Sequence, residues 1–378
     1  MTSRERIEAA FGKKATDRIP VNHRGFSSRA ASLVLGREAF VGGGIQYWRE
    51  ATSLFEGWHE EFLERSFRDA IDLAMATGQD MIRPAYWRYN HKPTRKLDEH
   101  TYLFEEGAED EWQVMRFHPA IEQTGIFPYR QRKPDPDTAR KQVAAGEKAV
   151  AGYKPTVEMF PDHIRAQKLY GKDYVIEAHG VGVGIGQAGL WLEALLTDPG
   201  LVRARIAQQV EYARRNVAFL SGLGFRFFLG GGDFASDAGP LYSPRSFREL
   251  ILPGIKEVSE ICHDAGGYHL FASDGNLWPV ADALFGESGI DGYFEIDLKA
   301  GMVLSELRKR FPGLTLIGNI SSWTLSRGTS DDVTREVLSC LETAKKYNGV
   351  VAGISNYVPP EAPPANVHAM LETLQHNR

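Results

Sequence analysis

The chain has 378 residues, long enough for two domains by length alone, although a single α/β barrel with insertions also reaches this size. With 43% hydrophobic, 25% charged and 11% aromatic residues, the composition is that of a chain able to bury a large core. The net charge of -5, with no dense basic cluster, does not suggest a nucleic-acid or anionic-membrane surface, while leaving room for a local basic pocket that takes an acidic small molecule.

The N-terminus is charged and has no apolar signal core, and no apolar run approaches membrane-spanning length, so a cytoplasmic protein is expected. Thr2 to Phe11 reads as a short helix capped at Thr2 or Ser3, with Glu5 in the first turn. Asp17 to Arg24 reads as the first strand, ending in Asn22, His23 and Arg24. Ser27 to Gly36 is predicted as a helix, Gly42-Gly43-Gly44 as a loop, and Ala51 to Thr77 as one long amphipathic helical region. Asp80 to Trp87 reads as the second strand, ending in Tyr86 and Trp87.

Residues 88–173 break this rhythm. Tyr102 to Phe104 and Trp112 to Phe117 flank the acidic stretch Glu105 to Glu111, the pattern of a β-hairpin. The polar stretch Gln131 to Pro136 and the helices Thr138 to Ala149 and Pro161 to Tyr170 follow. The segment is read as an insertion able to cover a site, within a single domain spanning 1–378.

From Tyr174 strands and helices alternate. The predicted strands are Tyr174 to Val181, Phe225 to Leu229, Tyr268 to Phe271, Gly292 to Ile296, Leu314 to Ile317 and Val350 to Ile354. The helices between and after them are Ala188 to Leu196, Leu201 to Leu223, Pro244 to Ala265, Val280 to Phe285, Val303 to Arg310, Asp331 to Tyr347 and Pro364 to Gln375. Eight strands, each followed by helix, with continuous apolar runs such as Leu314-Thr315-Leu316-Ile317, predict a (β/α)8 TIM barrel with a hairpin-bearing insertion between strands 2 and 3. A doubly wound open sheet is the alternative.

In such a barrel the strand ends share one mouth. Asp233, Asp274, Glu295 and Asp297 are the candidate catalytic carboxylates there. His23, Arg24, Tyr86, Trp87, His179, Asn276, Asn319 and Asn356 are the candidate substrate-binding groups. Asp237, Ser273, Ser321 and Ser355 also fall at strand ends. Turns favour Asn, Asp and Ser, so Asp274 and Asn276 equally fit caps of the following helix. Three glycines before Asp233 permit close approach to a ligand or a neighbouring strand; the carboxylate suits a general base, a substrate acceptor or a weak metal ligand, or else a bond to its own loop. Glu295 and Asp297, two apart, are expected on one face, with Arg24 as their partner or as a clamp for a substrate carboxylate.

The Gly180 to Gly189 segment resembles a phosphate loop, but no acidic residue closes a following strand, so a pocket-floor loop is expected. Cys262 and Cys340 fall in helical patterns and read as small buried side chains, and His269 as a packing histidine; no thiolate zinc spacing is encoded.

Several motifs together resemble the uroporphyrinogen decarboxylase superfamily. They are Ser273-Asp274-Gly275-Asn276-Leu277-Trp278-Pro279, Gly231-Gly232-Asp233-Phe234, Leu316-Ile317-Gly318-Asn319-Ile320 and Val358-Pro359-Pro360-Glu361, with the fainter Asp17-Arg18-Ile19-Pro20-Val21 and Asp110-Glu111-Trp112 upstream. The resemblance implies a (β/α)8 barrel and one of two chemistries, porphyrinogen decarboxylation or corrinoid-linked methyl transfer, including O-demethylation. The decarboxylases carry arginines after the first strand, a place Arg24 and Arg29 could fill, and a pyrrole-binding aspartate at the end of the second, where Tyr86-Trp87 stands here. Many of the methyltransferases hold zinc through histidine and cysteine at positions where Ala272, Ser273 and Ser355 stand here.

The expectation is therefore a barrel enzyme of the methyltransferase branch, taking a small methylated substrate and passing the methyl group to a corrinoid on a partner protein. Asp233 and Asp274 would position the substrate, Glu295 or Asp297 would give the proton, and Tyr86 with Trp87 would form an apolar wall. A decarboxylase acting on a carboxylated substrate through Arg24 and Arg29, and a barrel that binds a ligand without turnover, are the alternatives. A homo-oligomer is compatible with all three.

Overall fold

The protein is described by a computed structural model covering residues 1–105, 112–128 and 136–378. The acidic stretch of the hairpin and most of Gln131 to Pro136 lie outside the described residues. The first helix, Ser3–Phe11, starts as its sequence dictates: the Thr2 hydroxyl accepts from the Glu5 amide while the Glu5 carboxylate accepts from the Thr2 amide.

The chain forms a mixed α/β structure around parallel strands. Val350–Val351 pairs with Thr315–Ile317, which continues through Gly292–Phe294, Tyr268–Ala272 and Phe227–Gly231 to Ala178–His179. Met81–Ile82 pairs in parallel with Val175–Ile176. Val21 makes a parallel bridge to Ala352 on one side, and on the other its carbonyl accepts the Asp80 amide at 2.7 Å.

The period of two along each strand divides the core. Met81, Val175, Phe227, Leu229, Leu270, Phe294, Ile317 and Val351 pack into one cluster, which the first helix joins through Ile7, Ala10 and Phe11. The alternate residues Phe228, Phe271, Tyr293, Leu316 and Val350 face a larger cluster shared with the surrounding helices. Both faces are buried, so these strands read as apolar runs without alternation.

Several boundaries differ from expectation. The first strand is reduced to the bridge at Val21. The second stops at Ile82, because Pro84 offers no amide to a ladder and restrains Arg83 before it. The helical region 51–77 is two helices, Gly44–Glu56 and His59–Ala76, separated at Gly57 with φ 87°. The helix after Ser243 contains a π turn, Phe247–Ile251, before Leu252–Asp264; Pro253 has no N–H for the helical ladder at that junction.

The predicted hairpin is the middle of a four-stranded antiparallel sheet: Arg95–Asp98, Thr101–Glu105, Trp112–His118 and Gln123–Pro128. Tyr102 lies opposite Met115 and Leu103 opposite Val114. The outer strand Arg95–Asp98 is exposed throughout, which left it without a hydrophobic signal. Tyr102, Phe104 and Met115 pack on Ala51 of Gly44–Glu56. The Glu122 carboxylate accepts the amides of Ser28 (2.7 Å) and Arg29 (3.0 Å), tying the sheet to the start of Ser28–Leu35. Among the described residues no helix is long and apolar enough to cross a membrane.

Asp80 is wholly buried and accepts from Arg6 Nη1 (2.5 Å), Ser3 Oγ (2.7 Å) and the Val21 amide (2.9 Å). Asp80→Ala leaves a buried guanidinium and a strand amide without this acceptor. It should lower unfolding stability by about 3–5 kcal/mol, read from urea denaturation midpoints.

Candidate functional site

The carboxyl ends of the parallel strands deliver the polar groups. After Tyr268–Ala272 the chain turns at Gly275 (φ 79°), presenting Asp274, whose Oδ2 accepts from Asn356 Nδ2 at 3.1 Å. After Gly292–Phe294 it turns at Glu295 itself, a non-glycine residue with φ 66°. That turn places the Glu295 carboxylate 3.0 Å from Arg24 Nε, while Arg24 Nη1 lies 3.4 Å from the buried Glu177. Asp297 braces the neighbouring loops, accepting the amides of Gly275 (3.3 Å) and Ala300 (3.2 Å).

Two adjoining cavities open here. One, of about 290 Å³, is lined by Asp274, Glu295, Asp297, Lys299, Ser321 and Trp323 among others. The second, of about 190 Å³, is lined by Arg24, Arg83, Tyr86, Trp87 and Gln123. Glu295, Asn356 and Tyr357 line both and form the neck. Trp87 stacks on Tyr47 at 5.9 Å, and Gly43 leaves room for it, since an added Cβ would sit 3.0 Å from its ring.

Burial, with the charges of Asp233, Glu295 and Asp297, pushes the Asp274 carboxyl up to about 6, against the pull of its Asn356 hydrogen bond. Glu295 is raised by burial, a shift opposed by Arg24. Burial would also raise Glu177, but His179, Arg24 and Arg83 outweigh it and hold Glu177 down to about 2. Arg83 is lowered to about 10, by burial first and then by Arg24. Burial lowers His179, and takes His163 and His23 down to about 3, so the latter two rings are neutral at pH 7.

Of the residues predicted from sequence, Asp274, Glu295, Asp297, Arg24, Tyr86, Trp87 and Asn356 come together. The expectation that Glu295 and Asp297 alternate on a strand is corrected: the strand ends at Phe294, and both reach the cavity from a turn. Asp233 is exposed outside the lining, though its charge is felt by Asp274 and Glu295. Two of the glycines before it serve neighbouring strands, since a Cβ at Gly231 would fall 2.1 Å from the Ala272 carbonyl and one at Gly230 2.6 Å from that of Val181, while one at Gly232 would meet nothing within 4 Å.

His23 is a core residue: its Nδ1 accepts the Ile354 amide at 3.2 Å and its ring meets Phe26 edge-on. Asn276 caps the next turn through the Trp278 amide (3.1 Å), and Asn319 is buried outside both linings. His179 sits behind Arg24, 3.6 Å from Glu177. Arg29 turns away to the Pro360 carbonyl, and Arg83 takes the cavity place expected of it. Asp237 pairs with Lys299 at the surface.

The Gly180 to Gly189 loop is pinned by Gln209, which bonds both the amide and the carbonyl of Gly184, and it lines neither cavity. His269 is buried, 2.8 Å from Ser259 Oγ, and both cysteines are buried free thiols. Ala272, Ser273 and Ser355 offer no thiolate at the strand ends, and among the described residues no three His, Cys, Asp or Glu side chains converge as a metal set.

Arg83, Gln123, Glu177, Lys299 and Tyr357 were not anticipated. Glu177 carried a signal, since a lone carboxylate inside the run 174–181 must find a buried partner. Gln123 carried none, because packing of the antiparallel sheet alone brings it to the cavity.

The model of the uroporphyrinogen decarboxylase (URO-D) family matches residues 233–376. No curated protein matches the sequence. Among solved structures, a methyltransferase from Methanosarcina mazei superposes with a TM-score of 0.65 at 17% identity, over 99% of this chain and 98% of its own. A proposed vitamin-B12 independent methionine synthase from Listeria monocytogenes superposes with a TM-score of 0.50 at 14% identity, over 95% and 98%. At these identities the likeness is one of fold.

A carboxyl raised above its unfolded value binds its proton more tightly when folded, so it costs stability as pH rises through the two values. Asp274→Asn should be more stable than the parent above pH 6, by about 1–2 kcal/mol after discounting for solvent screening, with the gain vanishing below about pH 4. Paired thermal melts at the two pH values measure it.

Proposed function

We propose that the chain is a member of the uroporphyrinogen decarboxylase superfamily, whose family model matches its segment 233–376, and that it is a methyltransferase acting on a small methylated substrate held across the two cavities. The observation that carries this reading is Asp274: a half-buried carboxyl with its proton affinity raised to about 6, inside a cavity and oriented by Asn356. Loss of a methyl group from oxygen or nitrogen leaves a heteroatom that needs a proton, and an acid near neutrality is suited to give it. This revises the expected assignment. Asp274 becomes the donor, while Glu295 is held by Arg24 and Asp297 by two loop amides.

We read the parallel segments as a closed eight-stranded barrel, with Val21 joining Ala352 to Asp80, so that all these groups stand at its carboxyl mouth. The cavities lie at or below the lower end of the range of about 300–1,000 Å³ usual for drug-sized ligands, a space suited to a small substrate. A corrinoid on a partner protein would supply the methyl acceptor. Trp323, 55% exposed and lining the first cavity, is a flat apolar group on which a macrocycle could rest while staying outside. A zinc-thiolate centre does not fit Ala272, Ser273 and Ser355, and no step is assigned to one.

Tetrapyrrole decarboxylation fits less well. The second strand brings a guanidinium, Arg83, toward the cavity; pyrrole N–H groups need an acceptor, and arginine has none.

Incubation with a corrinoid protein and a panel of methoxylated and N-methylated compounds should yield demethylated product. For an accepted substrate, kcat/KM should fall as pH rises above about 6, the limb in which Asp274 loses its proton. Asp274→Asn should lower kcat by about 10²–10⁴-fold and abolish that limb. Tight binding with no product across the panel would instead select a ligand-binding barrel.

A further inference from the structure

The first cavity, of about 290 Å³, lies in a field of one sign. After burial, the strongest influences on the Asp274 carboxyl are the charges of Asp233, Glu295 and Asp297, and each raises its proton affinity. Lys299, the cation of this lining, is drawn aside: its Nζ lies 3.0 Å from Asp237 and 5.0 Å from the centre of the Trp323 ring. Asp297 acts on it only at longer range. Arg24 divides its charge between Glu295 and Glu177. Among the described residues no cation stands within ion-pair distance of Asp233, Asp274 or Asp297.

A second observation points the same way. Ser355 lines this cavity at 6% exposure, and among the described residues its Oγ has no hydrogen-bond partner. On the adjoining strand end, joined through the Ile320–Ile354 bridge, Asn319 Oδ1 is buried and equally unpartnered. Buried oxygens without a donor are costly, and an N–H-bearing cation at the Ser355 hydroxyl would relieve that cost and the like charges together.

The carboxylates are spread round the lining, and among the described residues no three His, Cys, Asp or Glu side chains converge as a bare ion requires. Negative walls around a space of this size suit a cation of molecular dimensions, and Trp323 and Tyr357 offer it ring faces.

We propose that this cavity is an ammonium subsite: it takes a small protonated alkylamine, which donates to Ser355 and whose charge is met by Glu295 and Asp297. The proposal rests on reading the strand-end cavities as the substrate site. It adds the substrate class, placing amines ahead of ethers among methylated compounds.

Calorimetric titration of the whole protein at low salt, without any corrinoid protein, tests this with tert-butylammonium, its neutral isostere tert-butanol, and tetramethylammonium. The first should bind about tenfold more tightly than tert-butanol, and Asp297→Asn should weaken both cations about tenfold while leaving tert-butanol unchanged. Asp233→Asn, an exposed substitution outside the lining, should weaken them about twofold through charge alone. Ser355→Ala should weaken tert-butylammonium about threefold but not tetramethylammonium, which has no N–H to donate. Thermal melts establish that each variant is folded; if Asp297→Asn is not, the tert-butylammonium-to-tert-butanol ratio on the unmodified protein decides.

Equal binding of tert-butylammonium and tert-butanol overturns the proposal, as does a folded Asp297→Asn, or a Ser355→Ala, that holds tert-butylammonium as the parent does. Its displacement by an equimolar magnesium or calcium salt assigns the carboxylates to a metal and overturns the proposal too. Ammonium binding of the expected pattern in a protein that demethylates nothing sinks the transfer reading and leaves this subsite standing. Demethylation of ethers by a protein that binds no ammonium does the reverse.

Discussion

One buried carboxylate holds together parts of the chain that are far apart in sequence. Asp80 receives Arg6 and Ser3 from the first helix and the amide of Val21, while its own amide and carbonyl bond Val21 and Val175. Arg378 Nη1 approaches it to 3.7 Å from the C-terminus. A desolvated carboxylate tolerates such a place only when its acceptor sites are filled, so the helix, two strand segments and the terminus are constrained to meet there. Arg83 lies three residues beyond Asp80 and Arg24 three beyond Val21, so the anchor at one end of these short segments sets the position of both guanidinium groups at the other.

At that other end the protein shares charge instead of pairing it off one to one. Arg24 serves two glutamates of opposite tendency, Glu177 held as an anion and Glu295 pushed toward its neutral form. Asp274 lies beyond them, raised by burial and by three carboxylates on two neighbouring turns. The result is a gradient across the neck, with cations on the Arg83 side and a proton-retaining carboxyl on the Asp274 side.

Much of this was legible in the sequence because the strands are buried on both faces. Runs such as 314–317 and 268–271 announced themselves by continuous apolarity, and the polar residues just after them marked the rim. Asp274, Glu295 and Asn356 were readable for that reason. What was not legible depended on contacts between distant segments. Arg83 looked like part of a strand until Pro84 ended the ladder, Gln123 arrives through packing of Tyr102 and Met115 on Ala51, and the exposed strand Arg95–Asp98 had no hydrophobic pattern to betray it. Polar residues at strand ends also divide into caps and ligands by side-chain direction, which spacing does not encode. Asn276 and Asn356 are the same residue type at similar places, yet one closes a turn and the other orients an acid.

Glu295 occupies a left-handed backbone conformation that a side chain tolerates at a cost of about 1–3 kcal/mol. Glycine would relieve that cost and in the same stroke remove the carboxylate shared by both cavities. Ranking substitutions here on backbone strain alone would therefore favour the replacement that strips Arg24 of its nearest carboxylate and takes away a wall common to both cavities. Backbone ease and site electrostatics compete for a single codon here.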